Sequence, residues 1–443
     1  MKVKRLPKDP GPAAWNAILP DRVPTNPLED KITADWLVIG AGFAGLAAAR
    51  RLAQNCPGDR IVILDAKAVA EGPAGRNSGF MIDLPHDLGP EDPNADLDKV
   101  RHEIADNRKG IAFATEMAEE YGLSEEAFNP CGKHNLAVTN RGEASNAKLV
   151  KQLSALNEPF DQLSAADAKD LTGIDYYSGG LYTPGAVMIQ PAIFVRGVAA
   201  GVTSNRVTLH ENSPVLELKR EGDWIATTPK GQITAPKVIL AVNGHLNNFG
   251  IAENRLMHVF TYASMTRALT PDEVARLGGQ PVWGTTPADM MGSTIRRISG
   301  TGGDRIVVRN TATFDPSIEV SDRRIEKVGR NHDASFEARF PMLKDVEMEF
   351  RWGGRLCMSY NKVQMIGELE KGLYSACVQN GLGTAKGTLA GMLAADLTTG
   401  VPSDALDRAL AAPEPSHLPP RPISWLGANA RMRWGEWKAG AER

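Results

Sequence analysis

The feature that most constrains the fold is a glycine-rich turn near residue 40. The segment DWLVIGAGFAGLAAARRLA, residues 35–53, predicts a buried strand, a turn and a helix. The next apolar segment, RIVILDA, predicts a second buried strand. Because the turn between the first strand and the helix has the pattern G-x-G-x-x-G, the whole unit predicts one mononucleotide-binding half of an α/β fold.

Each glycine of this turn has its own role in binding a dinucleotide. Gly40 permits the tight turn, Gly42 lets a pyrophosphate approach the backbone, and Gly45 lets the helix pack against the strand. The helix N-terminus then faces the phosphate charge. Asp65 ends the second strand, where a carboxylate can accept a hydrogen bond from an adenosine ribose. The motif predicts a dinucleotide without separating NAD from FAD.

Composition and charge exclude several other classes of protein. The chain has 50 Lys and Arg against 53 Asp and Glu, so its formal charge is -3 and nucleic acid is not an expected partner. The four cysteines have no metal-ligand spacing, and we expect reduced thiols and no metal site. No apolar run reaches the roughly 20 residues of a membrane span. With no secretory signal in the first residues, a cytoplasmic location is expected.

The remainder of the chain predicts a second layer of structure. Residues 1–32 are rich in proline and charge, and predict an arm that lies over the surface or reaches a partner subunit. Residues 97–122 have helical periodicity, residues 206–244 predict a meander of strands, and residues 256–350 predict strands alternating with polar loops. The segment from residue 351 to 400 predicts two strands, a glycine turn and a helix, followed by a polar, proline-rich tail.

Residues 33–400 resemble the FAD-dependent amine and amino-acid oxidoreductases, the family of D-amino acid oxidase, glycine oxidase and sarcosine oxidase. The segment EGPAGRNSGF is similar to the family's Gly-Arg-Asn-Gly-Gly segment along the isoalloxazine, with Ser78 in place of one glycine. The strand KVILAVNG resembles the family's Ala-x-x-Gly landmark at the FAD edge. The proline-rich arm and AGRNSGF bring the chain nearest to the gamma-glutamylputrescine oxidase-like members. The resemblance therefore implies FAD rather than NAD.

A last landmark of the family lies near the C-terminus. WGGR and MSYNKVQMIGEL are similar to the family's Thr-Pro-Asp-x-x-Pro-x-Ile-Gly region, although the Pro-Asp pair is absent. The glycine turn after it places Gly381 and Gly383 where backbone N–H groups would face an anionic reduced flavin. Lys386 follows in the helix, and either supports the reduced flavin or an oxygen species, or is a solvated lysine. Since AGRNSG lacks histidine and Cys357 does not align with the cysteine that links flavin in sarcosine oxidases, we expect non-covalent FAD.

The resemblance implies an α/β fold with a glutathione-reductase-like FAD-binding Rossmann domain and an inserted antiparallel-sheet substrate domain. We predict an arm at 1–32, an FAD domain of 33–110, 189–255 and 351–400, a substrate domain of 111–188 and 256–350, and a tail at 401–443. The predicted cofactor-binding residues are Gly40, Gly42, Phe43, Ala44, Gly45, Asp65, Ala66, Lys67, Arg76, Asn77, Ser78, Val215, Ala241, Asn243, Gly244, Gly354, Gly381, Leu382, Gly383 and Lys386.

The implied reaction is oxidation of the C–N bond of an amine or amino acid, which gives an imine that hydrolyses. Arg296 and Arg297 are adjacent, so on a strand one at most faces the site, where it would bind a substrate carboxylate. His258 and Tyr262 would share one strand face toward the substrate. Alternatives are a 2-hydroxy-acid dehydrogenase, or an FAD-binding subunit that passes electrons to a partner. Oxygen or another acceptor and a homo-oligomer are further expected partners.

Overall fold

The computed structural model of the protein describes residues 1–85, 88 and 97–443. The helices are α1 Ala14–Ala17, α2 Phe43–Asn55, α3 Asp98–Glu120, α4 Asn140–Leu156, α5 Ala165–Thr172, α6 Pro191–Val202, α7 Pro271–Leu277, α8 Asp322–Arg339, α9 Ala385–Thr399, α10 Asp404–Ala411 and α11 Ile423–Ala439. Short 3-10 turns lie at Pro73–Gly75, Asn243–Phe249, Pro341–Leu343 and Gly440–Glu442.

The described strands form four sheets. The first nine strands are β1 Lys31–Thr33, β2 Trp36–Ile39, β3 Ile61–Leu64, β4 Phe80–Met81, β5 Phe128–Asn129, β6 Lys133–Ala137, β7 Asp161–Ser164, β8 Gly179–Thr183 and β9 Val187–Ile189. The next six are β10 Val207–His210, β11 Glu217–Glu221, β12 Asp223–Thr227, β13 Gln232–Ala235, β14 Lys237–Leu240 and β15 Leu256–Thr266. The last six are β16 Trp283–Pro287, β17 Thr294–Ile298, β18 Arg305–Phe314, β19 Met348–Ser359, β20 Met365–Glu370 and β21 Leu373–Cys377.

A six-stranded sheet in the order β10-β3-β2-β14-β21-β20 contains the glycine turn. Its first five strands are parallel and β20 is an antiparallel edge. Every residue of β2 and β3 is buried, because the sheet has a hydrophobic cluster on each face. Val38 and Ile63 lie in one cluster, whereas Leu37 and Val62 lie in the other. The carboxyl ends of β2, β3, β14 and β21 therefore meet at one edge, where ligands bind in open α/β sheets.

An eight-stranded sheet in the order β19-β15-β18-β17-β16-β6-β8-β7 forms the second large layer. Its pairs are antiparallel apart from the parallel contact of β16 with β6. The two sheets together confirm the predicted α/β class. The division of the chain into two domains stays a prediction, and its first FAD-domain range includes residues 86, 87 and 89–96, which lie outside the described residues.

The structure differs from the sequence predictions in three places, one of which is the segment 351–400, where three strands, β19, β20 and β21, precede the glycine turn instead of two. The region predicted as strands and polar loops contains α7 and α8, and the tail contains α10 and α11. In α8 the buried apolar residues Ile325, Val328 and Phe336 are widely spaced among charged residues, which hides the helical periodicity. By contrast, the predicted helix at 97–122 is confirmed as α3. None of the described helices combines the length and apolar composition that crossing a membrane requires.

Candidate active site

The glycine turn after β2 has the close contacts that its motif predicts. Gly40 has a φ of 109° and its amide donates to the Leu64 carbonyl at the end of β3, 2.7 Å away. A Cβ on Gly45 would lie 1.7 Å from the carbonyl oxygen of Gly40, so only glycine fits there. The space beside Gly42 is open apart from the Ala74 side chain at 3.5 Å. The turn thus leaves room for a ligand at its second glycine.

The N-terminus of α2 lacks a side-chain cap. Gly42 occupies the N-cap position and no side chain accepts a hydrogen bond from the first turn, which begins with Phe43 and Ala44. The first intrahelical bond runs from the Leu46 amide to the Gly42 carbonyl. Because uncapped N–H groups at a helix N-terminus bind anions, this end of α2 fits a pyrophosphate.

Asp65 links the glycine turn to the end of β3. One carboxylate oxygen accepts a hydrogen bond from the Ala41 amide at 2.7 Å, and the other accepts from the Lys67 amide at 2.9 Å. Burial raises the pKa of Asp65 to about 6, against the lowering effect of these two amides. Asp65 and its neighbour Ala66 are still partly exposed at the sheet edge. The carboxylate is therefore oriented by the backbone, and its remaining lone pairs suit a ribose hydroxyl.

Strained backbone marks the ends of β14 and β21. Asn243, Val378 and Asn380 have positive φ values of 47°, 63° and 52°. Each such residue outside glycine costs about 1–3 kcal/mol, and β-branched Val378 is the most unusual. The Asn243 side chain holds this conformation by accepting from the Val378 amide at 3.1 Å. Such clustered strain at a sheet edge is typical of a ligand site.

The loop into α9 leaves space next to Gly383. Gly381 has a φ of 88°, and a Cβ on Gly383 would meet no heavy atom within 4 Å. Leu382 is buried under the loop, and α9, like α2, begins without a side-chain cap. A second helix N-terminus thus opens toward the same edge, where it would stabilise negative charge.

Segment 76–78 is fixed by two tryptophans. The indole of Trp352 donates to the Arg76 carbonyl at 3.1 Å, and the indole of Trp15 donates to the Asn77 carbonyl at 2.9 Å. A Cβ on Gly354 would lie 3.0 Å from the Arg76 carbonyl, so strand β19 passes very close. The Arg76 guanidinium points instead to the carbonyls of residues 10, 11 and 71. The Asn77 side chain likewise turns to the backbone, donating to the Ala74 carbonyl at 2.7 Å.

A pocket lies between segment 76–78 and one face of the eight-stranded sheet. Its lining comes from that segment and from β15, β17, β18 and β19. The lining residues are Arg76, Asn77, Ser78, Thr261, Tyr262, Ala263, Thr294, Arg296, Val307, Arg309 and Trp352. Since segment 76–78 resembles the one that passes along an isoalloxazine, this pocket is the candidate substrate site.

Arg296 and Arg309 face this pocket from adjacent strands. Their strands pair so that Thr294 lies opposite Arg309 and Arg296 lies opposite Val307, which puts all four on one face. Arg296 binds only neutral groups: its Nη1 donates to the carbonyls of Gly79 at 3.1 Å and Ile189 at 2.8 Å. Burial lowers the pKa of Arg296 to about 10 and also lowers the pKa of Arg309. In the described part of the chain neither guanidinium has a carboxylate partner.

Three other predicted substrate residues lie differently. Arg297 points to the opposite face, where it donates to the Gln280 carbonyl at 3.0 Å and lies 3.7 Å from Asp304. His258 is buried and does not line the pocket; its Nε2 lies 2.9 Å from the Asn247 side-chain oxygen. Burial lowers the pKa of His258 to about 3. Tyr262 borders the pocket, yet its hydroxyl lies 2.6 Å from that of Thr313.

Arg309 was not predicted as a site residue. The signal for it was present in the sequence STIRRISGTGGDRIVVRN, whose glycine-rich middle predicts a hairpin. In that hairpin Arg309 shares a face with Arg296, because their strands pair in register and side chains alternate between faces.

The remaining predicted cofactor residues divide between the sheet edge and other roles. Ala241 follows β14 and lies against Gly40 and Gly45, and Gly244 approaches the His258 ring. Val215 is buried in the hydrophobic cluster that contains Leu64. Lys67 lies in the loop after β3, residues 65–72, which we call the Asp65 loop, and its ammonium lies 3.1 Å from the Asp9 carboxylate. The Lys386 ammonium binds Glu103 of α3 at 2.6 Å, which offsets the cost of a cation in the first turn of α9.

These features fit a dinucleotide cofactor. The uncapped α2 and the space at Gly42 suit the pyrophosphate, and Asp65 suits a ribose. His245, next to Gly244, adds an unpaired polar atom: its Nδ1 lies 2.8 Å from Asn248, and its buried Nε2 has no partner in the described structure. No group of His, Cys, Asp and Glu side chains among the described residues has the arrangement of a metal site.

Comparison with known proteins identifies the cofactor class. The family described as FAD dependent oxidoreductase matches residues 35–397. Gamma-glutamylputrescine oxidoreductase of Escherichia coli strain K12 is 25% identical over 388 residues, which are 85% of this chain and 86% of that protein. The match therefore extends over nearly the whole of both chains.

Solved structures show the same fold. Glycine oxidase from Geobacillus kaustophilus superposes with a TM-score of 0.66 at 20% identity, over 84% of this chain and 96% of that one. L-proline dehydrogenase from P. horikoshii superposes with a TM-score of 0.63 at 17% identity, over 86% and 97%. The predicted α/β fold of FAD-binding type is thus confirmed.

Proposed function

The chain belongs to the FAD dependent oxidoreductase family, and from this premise we propose that it oxidises the C–N bond of an amine that also has a carboxylate. The single observation that carries the proposal is the pair Arg296 and Arg309, two cations that face the pocket without an anionic partner among the described residues. Arg296 is buried and Arg309 is partly buried, and a cation withdrawn from water is costly unless it is paired. The carboxylate of a substrate would supply the missing charge.

Arg309 is the better placed of the two for direct binding. Arg296 already donates to backbone carbonyls and stacks on Trp15, 5.0 Å from the ring centre. The Arg309 guanidinium has no hydrogen-bond partner in the described structure, and its planar fork suits a bidentate contact with a carboxylate. We assign to Arg309 the role of binding the carboxylate, and to Arg296 that of maintaining a positive potential behind it.

When bound, FAD would accept a hydride from the substrate carbon that carries the amine nitrogen. The residues that would hold FAD are those of the glycine turn, Asp65, segment 76–78 and the loop before α9. The pocket's own contribution is to orient the substrate by its carboxylate and to favour the neutral amine. Two guanidinium groups disfavour a nearby ammonium, so the bound amine loses its proton more readily than the free amine. We therefore expect the rate to rise with pH.

The names of the similar proteins support an amine or amino acid as the substrate. Gamma-glutamylputrescine oxidoreductase, glycine oxidase and L-proline dehydrogenase are each named for a compound with both a nitrogen centre and a carboxylate. The matched test compares pairs of amines that differ only by a carboxylate, with imine hydrolysis followed as release of aldehyde, keto acid or ammonia. Preference for the carboxylated member supports the proposal, and equal rates for both members contradict it.

A 2-hydroxy acid is the second candidate substrate, because Arg309 would bind its carboxylate equally well. The two candidates differ in their products. Only amine oxidation releases ammonia or a smaller amine. A turnover assay that detects a keto acid without any nitrogen product from a hydroxy acid would favour the second candidate.

The electron acceptor is either oxygen or a partner protein, and helix α11 favours the latter. Its outer face exposes Ile423, Leu426, Trp434 and Trp437. The exposed charges beside this stripe, Arg431 and Lys438, are cationic, whereas Glu436 of the same helix is buried. An acidic electron-acceptor protein would complement this surface, and a second copy would oppose like charges. Rapid oxygen consumption by the isolated enzyme would contradict this role.

We further propose that FAD is bound without a covalent link and that the enzyme is cytoplasmic. The four cysteines are free thiols, and burial raises the pKa of Cys357 far above its ordinary value, so it is a poor nucleophile. Release of all flavin on acid precipitation tests the first point. A homo-oligomer is also proposed, and light scattering measures it directly.

A further inference from the structure

The N-terminal arm, residues 1–32, precedes the family match, which starts at residue 35. Family membership therefore assigns it no role. Its first residues lie along strand β11, where the Val3 amide donates to the Leu216 carbonyl at 2.9 Å. The rest of the arm contacts three separate segments of the cofactor site.

The first contact is with the loop after Asp65. The carboxylate of Glu211 is fully buried and forms a bidentate ion pair with Arg22. One of the two hydrogen bonds, from Nη1 of Arg22, measures 2.9 Å. The same carboxylate accepts hydrogen bonds from the amides of Thr25, at 2.6 Å, and Val69. Arm and loop are thereby joined through one buried charge, so the position of the Asp65 loop depends on the arm.

The second contact is with segment 76–78. The guanidinium of Arg76 donates to the carbonyls of Pro10 at 2.9 Å and Gly11 at 3.0 Å. In return, the indole of Trp15 donates to the Asn77 carbonyl. Gln190 holds Trp15 by donating to its carbonyl at 2.8 Å. The arm therefore binds segment 76–78 at two points, the guanidinium of Arg76 and the backbone carbonyl of Asn77.

The third contact is a charge cluster around Asp9. Its side chain is buried, and its two oxygens lie 3.1 Å from the Lys67 ammonium and 3.5 Å from the Arg355 guanidinium. Arg76 also lies within the field of Asp9. Next to Asp9, the Pro10 carbonyl accepts from the Gly353 amide of β19 at 3.2 Å. Asp9 is thus the carboxylate between three cations that come from three segments of the site.

We propose that the arm is a clamp that retains FAD, and that Asp9 is the positioning residue that joins its three contacts. Without Asp9, the cations Lys67, Arg76 and Arg355 would repel one another and separate the Asp65 loop, segment 76–78 and strand β19. The inference depends on FAD binding and not on the choice of substrate. It can be tested with no substrate present.

The test measures FAD affinity and release in the full-length protein. Apoprotein is prepared for the wild type, Asp9→Asn and Lys4→Ala, and FAD binding is followed by quenching of flavin fluorescence. Lys4→Ala is the matched control because it removes an exposed ion pair of the same arm, with Glu253. Loss of one charge-assisted contact predicts an increase in the FAD dissociation constant of about tenfold or more in Asp9→Asn. Lys4→Ala should bind as the wild type does.

A readout on the apoprotein separates retention from general stability. The melting temperature of FAD-free Asp9→Asn is expected to fall, because three cations lose their buried carboxylate, and the shift produced by adding FAD is expected to become smaller as well. If Asp9→Asn lowers the melting temperature of the apoprotein and leaves FAD affinity unchanged, Asp9 is only a structural residue and the proposal is wrong.

Should Asp9→Asn fail to fold, Trp15→Phe provides the decisive variant. It keeps a six-membered aromatic ring and removes the pyrrole ring, whose N–H donates to the Asn77 carbonyl. The clamp predicts faster FAD release in Trp15→Phe and a changed visible spectrum of the bound flavin, because segment 76–78 lies along it. An unchanged release rate together with an unchanged spectrum would overturn the proposal.

Discussion

Arg309 faces the same pocket as Arg296 from the neighbouring strand, and neither guanidinium meets a carboxylate in the described part of the chain. Arg296 is buried and Arg309 is partly buried, and arginine is rarely buried without an ionic partner. The substrate pocket is therefore a site of unbalanced positive charge next to the segment that resembles the family's isoalloxazine contact.

Replacing Arg309 tests the use of that charge. Arg309→Lys keeps a cation and loses the bidentate geometry, whereas Arg309→Met loses both. For Arg309→Met we expect kcat/KM for the carboxylated amine to fall roughly tenfold to 150-fold, which corresponds to a loss of about 1.5–3 kcal/mol of transition-state stabilisation. Arg309→Lys should show a smaller loss. The loss should appear mainly in KM, measured by initial rates. Arg297→Lys is the control, since Arg297 lies on the opposite face, and an equal loss there would refute the assignment.

The pKa of Asp65 predicts how FAD affinity depends on pH. This carboxyl group has a raised pKa of about 6, so it is ionised above that pH and protonated below it. The ionised form accepts hydrogen bonds from the backbone and from a ribose hydroxyl. FAD affinity of the apoprotein should consequently fall as the pH is lowered through about 6. Fluorescence titrations over this range should show weaker, nearly pH-independent binding in Asp65→Asn. The same pH dependence in that variant would contradict the role of Asp65.

Gly383 separates cofactor binding from folding. A Cβ at this position meets no protein atom within 4 Å, so Gly383→Ala should leave the melting temperature of the apoprotein unchanged. The added methyl would enter the space where we place the flavin, and FAD affinity should fall. Gly58→Ala, whose Cβ is equally free, is the control. Full FAD affinity in Gly383→Ala would mean that the cofactor does not approach this loop.

Lys386 is the site residue whose predicted role is most open to test. Its ammonium is bound by Glu103 at 2.6 Å, so little of its charge is free to support the flavin. Lys386→Met should leave the flavin redox potential and the rate of reoxidation unchanged, with a small loss of thermal stability. A lower potential in this variant, measured by dye equilibration, would show that the ammonium stabilises the reduced flavin after all.

Local sequence rules were sufficient for the glycine turn. Gly40, Gly45 and Asp65 lie within two adjacent strands and one helix, so their contacts follow from spacing and from the geometry of a parallel pair. The two faces of β17 were also predictable, because Arg296 and Arg297 are consecutive in a strand. To predict that Arg296, and not Arg297, points into the pocket, one must know where the sheet lies relative to segment 76–78. That position depends on packing between distant parts of the chain.

The arm and helix α11 could not be placed from the sequence. Asp9 contacts residues 67 and 355, and no periodic pattern in a proline-rich segment specifies such partners. In α11 only Glu436 and Ala439 are buried, and Glu436 is charged. The large apolar residues of this helix lie mostly on its exposed face. Hydrophobic periodicity identifies buried faces, and it therefore misses a helix of this kind.

The measurement that tests the central claim most directly is the visible spectrum of the FAD-loaded enzyme under anaerobic conditions. Amines with and without a carboxylate, and 2-hydroxy acids, are added in turn while the flavin absorption is followed. The proposal predicts bleaching of the flavin band by a carboxylated amine, with release of a nitrogen product. Bleaching by a hydroxy acid alone would contradict the proposed substrate class, and a protein that cannot be loaded with FAD would contradict the site itself.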